Sequence, residues 1–294
     1  MTERTIKEAL QGASFCLYEA GIDQPRKEAE YLLARIMNTD RLQLFLRQDE
    51  TLSHAKEAVF REAVKRRCLE EPAAYITGEK YFYGYRFTVT PEVLIPRPET
   101  ELIIERALAA AGRLAGREGR GLACADLGTG SGALAVTMAL LLPRSEIWAV
   151  DVSEAALKIA RLNAAAHGVR ERLHFHRGSF GSAFDNLEPR PGFNLIVSNP
   201  PYLGRREIEN LPKGVKDYEP VRALNGGEDG LEGYRLILDR LAEYAVAPAV
   251  LLLEAGAGQK DQIERLCSET GLFSALTWYY DLNNWPRVIE GQIY

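Results

Sequence analysis

Two stretches of this chain could do chemistry by the types and order of their residues. The first is Asn199-Pro200-Pro201-Tyr202, which directly follows the apolar run 193–198. Two successive prolines fix φ and remove two backbone donors, so carbonyls at that strand end are free to face a ligand. The Asn199 side-chain oxygen and the Pro200 carbonyl can together accept both protons of a planar NH2 group, either an amide or the exocyclic amine of a base. Tyr202 offers a flat face to cover such a group. The second stretch is Asp126-Leu-Gly128-Thr129-Gly130-Ser131-Gly132, between an apolar strand and a helix. Its glycines allow a tight turn and let a ligand lie against bare backbone beside the N–H groups of a helix start. Asp151 stands nineteen residues beyond Gly132, at the end of the next strand. A carboxylate there can accept hydrogen bonds from both ribose hydroxyls of an adenine nucleoside.

These residues separate two kinds of ligand. A dinucleotide loop wants G-x-G-x-x-G, and here Ala133 occupies the last glycine's place. Asp126 would repel a pyrophosphate but suits the ammonium of a methionine moiety. The loop therefore favours S-adenosylmethionine over a dinucleotide, with a turn that merely packs helix on strand as the plain alternative. The tetrapeptide could likewise be a proline-rich strand exit without chemistry. Its place beside the crevice that holds the glycine loop argues otherwise. An amide nitrogen is a poor nucleophile because its lone pair is delocalised. Two acceptors would orient it toward a sulfonium methyl and stabilise the positive charge that develops. His167, His174 and His176 precede the tetrapeptide by at least 23 residues, so no dedicated strong base is expected.

The elements that must hold these residues can be read from the periodicity. From about Glu99, strands at 122–127, 146–150, 194–198 and 250–254 alternate with helices at 132–142, 153–167 and around 230–245. A final strand pair follows at 273–280 and 287–293. Such alternation predicts an α/β, doubly wound parallel sheet with its ligands at the carboxyl ends of the strands. Ser153 should cap the helix that Gly168 closes. The stretch 109–121, rich in Ala, Gly and Arg, reads as a helix end and surface loop.

Residues 1–75 read instead as a small helical domain. Asp23 before Pro25 looks like a helix cap, Ser53 like another, and Lys65, Arg66 and Arg67 suit a helix C-terminus. That triplet reads as a solvated helix end, with a docking patch for an acidic partner as the alternative. Residues 76–98 form a linker: Tyr81, Tyr83, Tyr85, Phe87 and Val89 alternate as in a β-hairpin, and Pro91, Pro96 and Pro98 delay the next helix. The catalytic domain is then 99–294.

Composition narrows the partners. The net charge is −5, and the first 80 residues hold 13 basic and 14 acidic side chains, so global positive charge is not available to attract nucleic acid, which leaves only a local patch for that role. Cys16, Cys68, Cys124 and Cys267 are too scattered for a zinc knuckle or redox pair, so no metal is expected and four reduced thiols in a cytoplasmic protein are. The charged start is unlike a signal peptide. The longest apolar helical run, 133–142, is about half of what a bilayer requires. No membrane association is expected, and a monomer is the default.

At this point the chain resembles the release factor glutamine methyltransferases of the HemK/PrmC type, over nearly its whole length. The resemblance is carried by Pro72-x-x-Tyr75-Ile-x-Gly78, Phe82-Tyr-Gly84-x-x-Phe87-x-Val89, and above all by the run Val93-Leu-Ile-Pro-Arg-Pro-Glu-Thr-Glu101. The glycine loop, the tetrapeptide, Tyr218-Glu-Pro220, Ala223-Leu224 and Gly226-Gly-x-Asp-Gly-Leu231 complete it. It implies a Rossmann-like class I methyltransferase domain behind a helical substrate-recognition domain. The implied reaction moves a methyl group from S-adenosyl-L-methionine to N5 of the glutamine in the Gly-Gly-Gln loop of class-1 peptide chain release factors, leaving S-adenosyl-L-homocysteine.

Carried over residue by residue, Gly128, Thr129, Gly130, Ser131, Gly132, Asp151, Ser179, Phe180 and Asn199 would bind the cofactor. Asn199, Pro200, Pro201 and Tyr202 would hold the glutamine, with Asn199, Pro200 and Tyr202 catalytic. Arg97, Glu99 and Thr100 would border the pocket or brace the interdomain turn. Three positions depart from the family pattern. Ser179 replaces the aspartate that meets the adenine amine, Glu254-Ala-Gly256 replaces Glu-Ile-Gly, and the tail 281–287 lacks a glycine-rich turn. Two other readings compete: an N6-adenine methyltransferase acting on DNA or RNA, and a non-catalytic scaffold with a degenerate pocket.

Overall fold

The computed structural model describes residues 4–116, 121–188 and 190–294. Part of the loop expected within 109–121 and the first three residues of the charged start therefore lie outside the described residues. The chain forms two compact units. One runs to Glu79 and includes Pro212–Tyr218; the other comprises Lys80–Leu211 and Glu219–Tyr294.

The first unit is helical. Thr5 and Glu8 form a reciprocal capping box at the start of α1 (Ile6–Glu19), whose Ile6, Ala9, Leu10, Ala13 and Leu17 make one buried stripe. α2 (Pro25–Met37) buries Leu32 and Leu33 beside it. The residue capping α2 is Gln24, in the left-handed region at φ 48°, and not Asp23 as the sequence suggested. α3 (Arg41–Leu46) is capped by Asp40, and α4 (His54–Cys68) by Ser53, the cap that the sequence suggested for it. At the end of α4, Arg66 pairs with Glu71 at 2.5 Å and Arg67 with Glu28 at 2.7 Å, so two of its three basic residues are engaged within the unit. α5 (Ala73–Thr77) closes at Gly78, φ 74°.

In the second unit, β1 (Glu79–Phe82) and β2 (Tyr85–Thr88) form the expected hairpin. Its two turn residues, Tyr83 and Gly84, both have positive φ (50° and 77°), which matches the twist of the strands. After a short 3-10 turn at Pro98–Thr100 come α6 (Glu101–Ala115), β3 (Ala123–Leu127), α7 (Ala133–Leu141), β4 (Glu146–Asp151), α8 (Glu154–Ala166), β5 (Leu173–Arg177) and β6 (Phe193–Ser198). The short helices α9 (Arg205–Glu209) and α10 (Lys213–Lys216) precede α11 (Glu232–Leu238), α12 (Leu241–Tyr244), β7 (Ala245–Glu254), α13 (Lys260–Glu269), β8 (Ala275–Tyr280) and β9 (Pro286–Ile293). The helix expected around 230–245 is thus two, and the strand expected at 250–254 begins five residues earlier. α10 falls within Pro212–Tyr218, which packs with the helical unit: Tyr218 donates to the Leu69 carbonyl at 3.0 Å, and a Cβ on Gly214 would meet the Glu70 carbonyl oxygen at 2.8 Å.

The seven strands are ordered β5-β4-β3-β6-β7-β9-β8. The first five are parallel, as the strand–helix alternation suggested, and the final strand pair β8 and β9 adds an antiparallel edge. Apolar clusters cover both faces, one around Ile104, Val136 and Leu195, the other around Ile196, Tyr234 and Leu251. α7 is buried from Ala133 to Ala139, which explains its all-apolar sequence without a membrane. No helix among the described residues is long and apolar enough to cross one. The chain runs outward from β3 to β4 and β5, then returns to place β6 on the other side of β3. The carboxyl ends of β3 and β6 therefore flank the point where the winding reverses, where open α/β sheets bind ligands.

Candidate active site

The glycine loop leaves β3 and is held from below. Asp126 is fully buried, and its Oδ2 accepts from the Thr129 hydroxyl at 2.6 Å and from the Ala135 N–H at 3.1 Å. Burial pushes its carboxyl up to about 7, and its other oxygen, Oδ1, has no hydrogen-bond partner among the described residues. The Ser131 carbonyl is pinned by the Asn163 side chain at 2.8 Å. Gly132, at φ 81°, must lack a side chain because a Cβ would lie 3.1 Å from that of Ala160 on α8.

Gly128 and Gly130 face an open cleft of about 640 Å³, counted out through its mouth, which is also lined by Asp151, Phe180, Asn199, Pro201 and Arg222. Asp151, at the end of β4, accepts from Gly130 N–H at 2.9 Å through Oδ2 and from Ser153 N–H at 2.8 Å through Oδ1. Each oxygen keeps a lone pair for a further donor. Burial raises its pKa, while these amides and the Arg222 charge oppose the rise.

Phe180 stands at φ 39°, a conformation costly for a bulky side chain, and its ring lies 3.8 Å from where a Gly128 Cβ would be. Ser179 begins the same 3-10 turn, and its carbonyl accepts from the Ser182 hydroxyl at 2.6 Å. Among the residues named from the sequence, Gly128, Gly130, Asp151, Phe180, Asn199 and Pro201 share the cleft wall. Thr129, Ser131 and Gly132 sit behind it, buried or packed on α8.

The tetrapeptide leaves β6, whose last residue, Ser198, donates to the Leu127 carbonyl at 2.5 Å and so ties the two strand ends together. Asn199 Nδ2 donates to Thr100 Oγ1 at 3.1 Å. Pro200 is buried, with Gly233 packed so closely that a Cβ there would touch it at 3.0 Å. Gly226 and Gly230 allow the following loop to lie against the Pro201 and Tyr202 carbonyls, at 2.7 and 2.4 Å from where their Cβ atoms would be. Close backbone approach thus accounts for the Gly226–Leu231 motif.

Gln259, which the sequence did not single out, locks this arrangement. Its Nε2 donates to the Tyr202 carbonyl at 2.8 Å and the Gly230 carbonyl at 3.3 Å, and its Oε1 accepts from Gly256 N–H at 3.0 Å. Burial pushes the Tyr202 phenol up to about 12, so it holds its proton at neutral pH.

Arg97 ion-pairs with buried Glu219 at 2.5 Å, which braces the proline segment. The third departure also has a physical account. In the tail turn, Asn284 takes the left-handed conformation (φ 60°) and Asp281 accepts from the Asn283 and Trp285 amides, both at 2.9 Å. His167 and His174 are engaged elsewhere, on the Arg86 carbonyl and on Glu146, each at 2.8 Å, and no histidine among the described residues lines the cleft.

The cleft residues fit an adenosyl sulfonium donor. Asp151 has acceptor capacity for a ribose diol, the Cβ position of Gly130 opens on empty space, and Phe180 offers a ring beside the loop. Solved structures share the architecture. A methyltransferase from Pyrococcus furiosus superimposes with a TM-score of 0.52 at 17% identity, covering 72% of this chain and 91% of that one. The N-terminal domain of human METTL16 gives 0.52 at 15% identity, covering 84% and 86%. Fold and site define a class I methyltransferase that uses S-adenosylmethionine.

The family models are more specific. That of the PrmC N-terminal domain matches residues 8–78, and that of the methyltransferase small domain matches 112–211. The release factor glutamine methyltransferase of Geobacter sulfurreducens is 39% identical, with both chains covered completely. That of Koribacter versatilis is 39% identical over 98% of each chain, and that of Bacillus cereus 34% identical over 98% of this chain and 99% of the relative. The chain belongs to the release factor glutamine methyltransferase family.

Proposed function

We propose that this enzyme methylates N5 of the glutamine in the Gly-Gly-Gln loop of class-1 peptide chain release factors. The observation that carries this reading is that Asn199 and Pro201 of the tetrapeptide line the same cleft as Gly128, Gly130 and Asp151. A planar amide held at the end of β6 would thus meet whatever the β3 loop holds. S-adenosyl-L-methionine supplies the electrophilic methyl group and leaves as S-adenosyl-L-homocysteine.

The chain's own residues do the rest. Asp151 takes the ribose hydroxyls, and Phe180 covers the adenine in the place where Ser179 gives up the usual carboxylate. Asn199 Oδ1 and the Pro200 carbonyl accept the two amide protons, which fixes the nitrogen's orientation and favours the charge that builds on it. Tyr202 covers the amide. With its phenol held protonated and no histidine in the cleft wall, the amide proton leaves to water through the open mouth. The helical unit, nearly balanced in charge, suits a protein partner gripped away from its glutamine, and remote contacts of that kind select one glutamine among many. A cytoplasmic monomer without a nucleic-acid partner completes the reading.

Labelled methyl donor should be incubated with the enzyme and, separately, with purified release factor, duplex DNA and transfer RNA. Label in the release factor alone is expected; label in a nucleic acid and none in the protein would overturn the reading.

A further inference from the structure

Behind the glycine loop, one carboxamide satisfies three backbone groups. Asn163 of α8 is buried, and its Nδ2 donates to the Ser131 carbonyl at 2.8 Å and to the Thr88 carbonyl at 3.0 Å. Its Oδ1 accepts from the Thr88 N–H at 2.7 Å. Two carbonyls and an N–H demand a double donor and an acceptor on one short stem, which among side chains of this length only asparagine supplies. The same demand fixes the carboxamide's orientation, because inverting it would set oxygen against oxygen.

The segments that Asn163 joins both go on to line the cleft. Ser131 lies between Gly130, on the cleft wall, and Gly132, packed on Ala160 of the same helix. Thr88 ends β2, and four residues later the chain reaches Glu92, Val93 and Leu94, which line the same cleft. Little slack separates them: Val89 is buried, Pro91 has a fixed φ, and the Val93 N–H donates to the Thr90 carbonyl at 3.1 Å.

A second rung seats β2 on α8. His167 Nε2 hydrogen-bonds with the Arg86 carbonyl at 2.8 Å, and its ring lies near those of Tyr85 and Phe87, with centroids 5.8 and 5.3 Å away. A carbonyl only accepts, so Nε2 carries the proton. Asn163 and His167 are about one helical turn apart, while Thr88 and Arg86 are two residues apart on one side of a strand. Four helical residues rise about 6 Å and two strand residues about 6.7 Å, so the spacings match.

We propose that Asn163 is a positioning residue for the methyl donor: it locks the glycine loop and the Glu92–Leu94 wall into one unit, so that the hairpin's seat on α8 sets donor affinity. Asn163 stands behind the wall and acts through the Ser131 and Thr88 backbone, not by contact with the ligand. The inference rests on the reading that the donor lies in this cleft.

The test uses the full-length enzyme well below its unfolding temperature. Calorimetry with S-adenosyl-L-homocysteine reads the Kd, and urea denaturation confirms folding. Asn163→Ser is too short to reach both segments and should weaken the Kd about tenfold. The KM for S-adenosyl-L-methionine should rise with it, while kcat and the KM for release factor stay within about twofold, because Asn199 is held by other bonds. His167→Leu keeps the contact apolar but breaks the distal rung, and should weaken the Kd a few fold although it lies outside the cleft. His167→Gln puts an amide nitrogen in place of Nε2 and should restore it. A residue that only supported the fold would lower stability and leave the Kd of the folded protein alone. Wild-type Kd in folded Asn163→Ser or in His167→Leu, or His167→Gln no better than His167→Leu, overturns the proposal. Should Asn163→Ser fail to fold, the His167 pair decides alone. Wild-type affinity in Asn163→Ser beside weak binding by Asp151→Ala would refute the positioning role and leave the cleft as the donor site. Wild-type affinity in both would refute the cleft reading as well.

Discussion

The backbone N–H of Gly130 donates to Asp151 Oδ2 at 2.9 Å, so the glycine loop and the acidic residue after the next strand are one device. Asp151→Ala removes the ribose acceptors and the loop's anchor together. Charge-assisted hydrogen bonds contribute about 1.5–3 kcal/mol each, so donor affinity should weaken about tenfold or more. Titration calorimetry with S-adenosyl-L-homocysteine measures this directly; an unchanged Kd would exclude Asp151 from the cofactor site.

Phe180 combines a strained backbone with a ring in the cleft wall. Phe180→Gly relieves the strain and removes the ring. Stability should change by no more than about 1 kcal/mol because the two effects oppose each other, while loss of stacking worth about 1 kcal/mol should weaken donor binding about fivefold. A large loss of stability with normal donor affinity would make Phe180 a core residue only.

Gln259 satisfies two carbonyls and one amide N–H at once, and it is buried. Gln259→Leu leaves those groups unpaired. At about 1–3 kcal/mol for each unmade bond, partly recovered by relaxation, the folded state should lose roughly 2–4 kcal/mol. Urea denaturation reads the loss, and kcat of the folded fraction should drop as well because the Tyr202 carbonyl is no longer held. A variant as stable as wild type would show that water replaces the side chain.

Asp126 gives a pH dependence of stability whose sign follows from its burial. Its carboxyl rises from 3.8 to about 7 on folding, so the folded state holds a proton that the unfolded chain releases. Its contribution is full below the unfolded value and is lost as pH rises through the folded one, an amount on the order of 2–4 kcal/mol between about pH 4 and pH 7. Asp126→Asn keeps the acceptor for Thr129 and Ala135 and cannot ionise. Its stability should decline less than wild type across that window, with Glu254, which shares the window, supplying the remaining slope. Parallel denaturation curves at pH 5 and pH 8 would show the difference; equal slopes in both proteins would contradict it.

The cleft's front was legible in the sequence because its residues come in runs at strand ends. Gly128–Gly132 and Asn199–Tyr202 announce themselves through glycine and proline, whose backbone constraints are intrinsic. The support behind them was not legible. Thr100 reaches Asn199 across 99 residues and Gln259 reaches Tyr202 across 57, so each bond exists only after the sheet has formed.

Asp126 was expected to face an ammonium, but one of its oxygens is committed to the loop itself, a competition that spacing alone does not reveal. The direction of the final strand pair was not legible, and the cap at Gln24 was missed, for related reasons. Strand direction is set by where a connection returns, and a left-handed glutamine carries no local signature.

The central claim is tested most directly by mapping the product. Release factor incubated with S-adenosyl-L-methionine and wild-type enzyme should carry one methyl group on the glutamine of Gly-Gly-Gln by tandem mass spectrometry. The same incubation with Asn199→Ala should leave it unmodified, although that variant still binds S-adenosyl-L-homocysteine within a few fold of wild type. A methyl group on any other residue, or full modification by Asn199→Ala, would contradict the account.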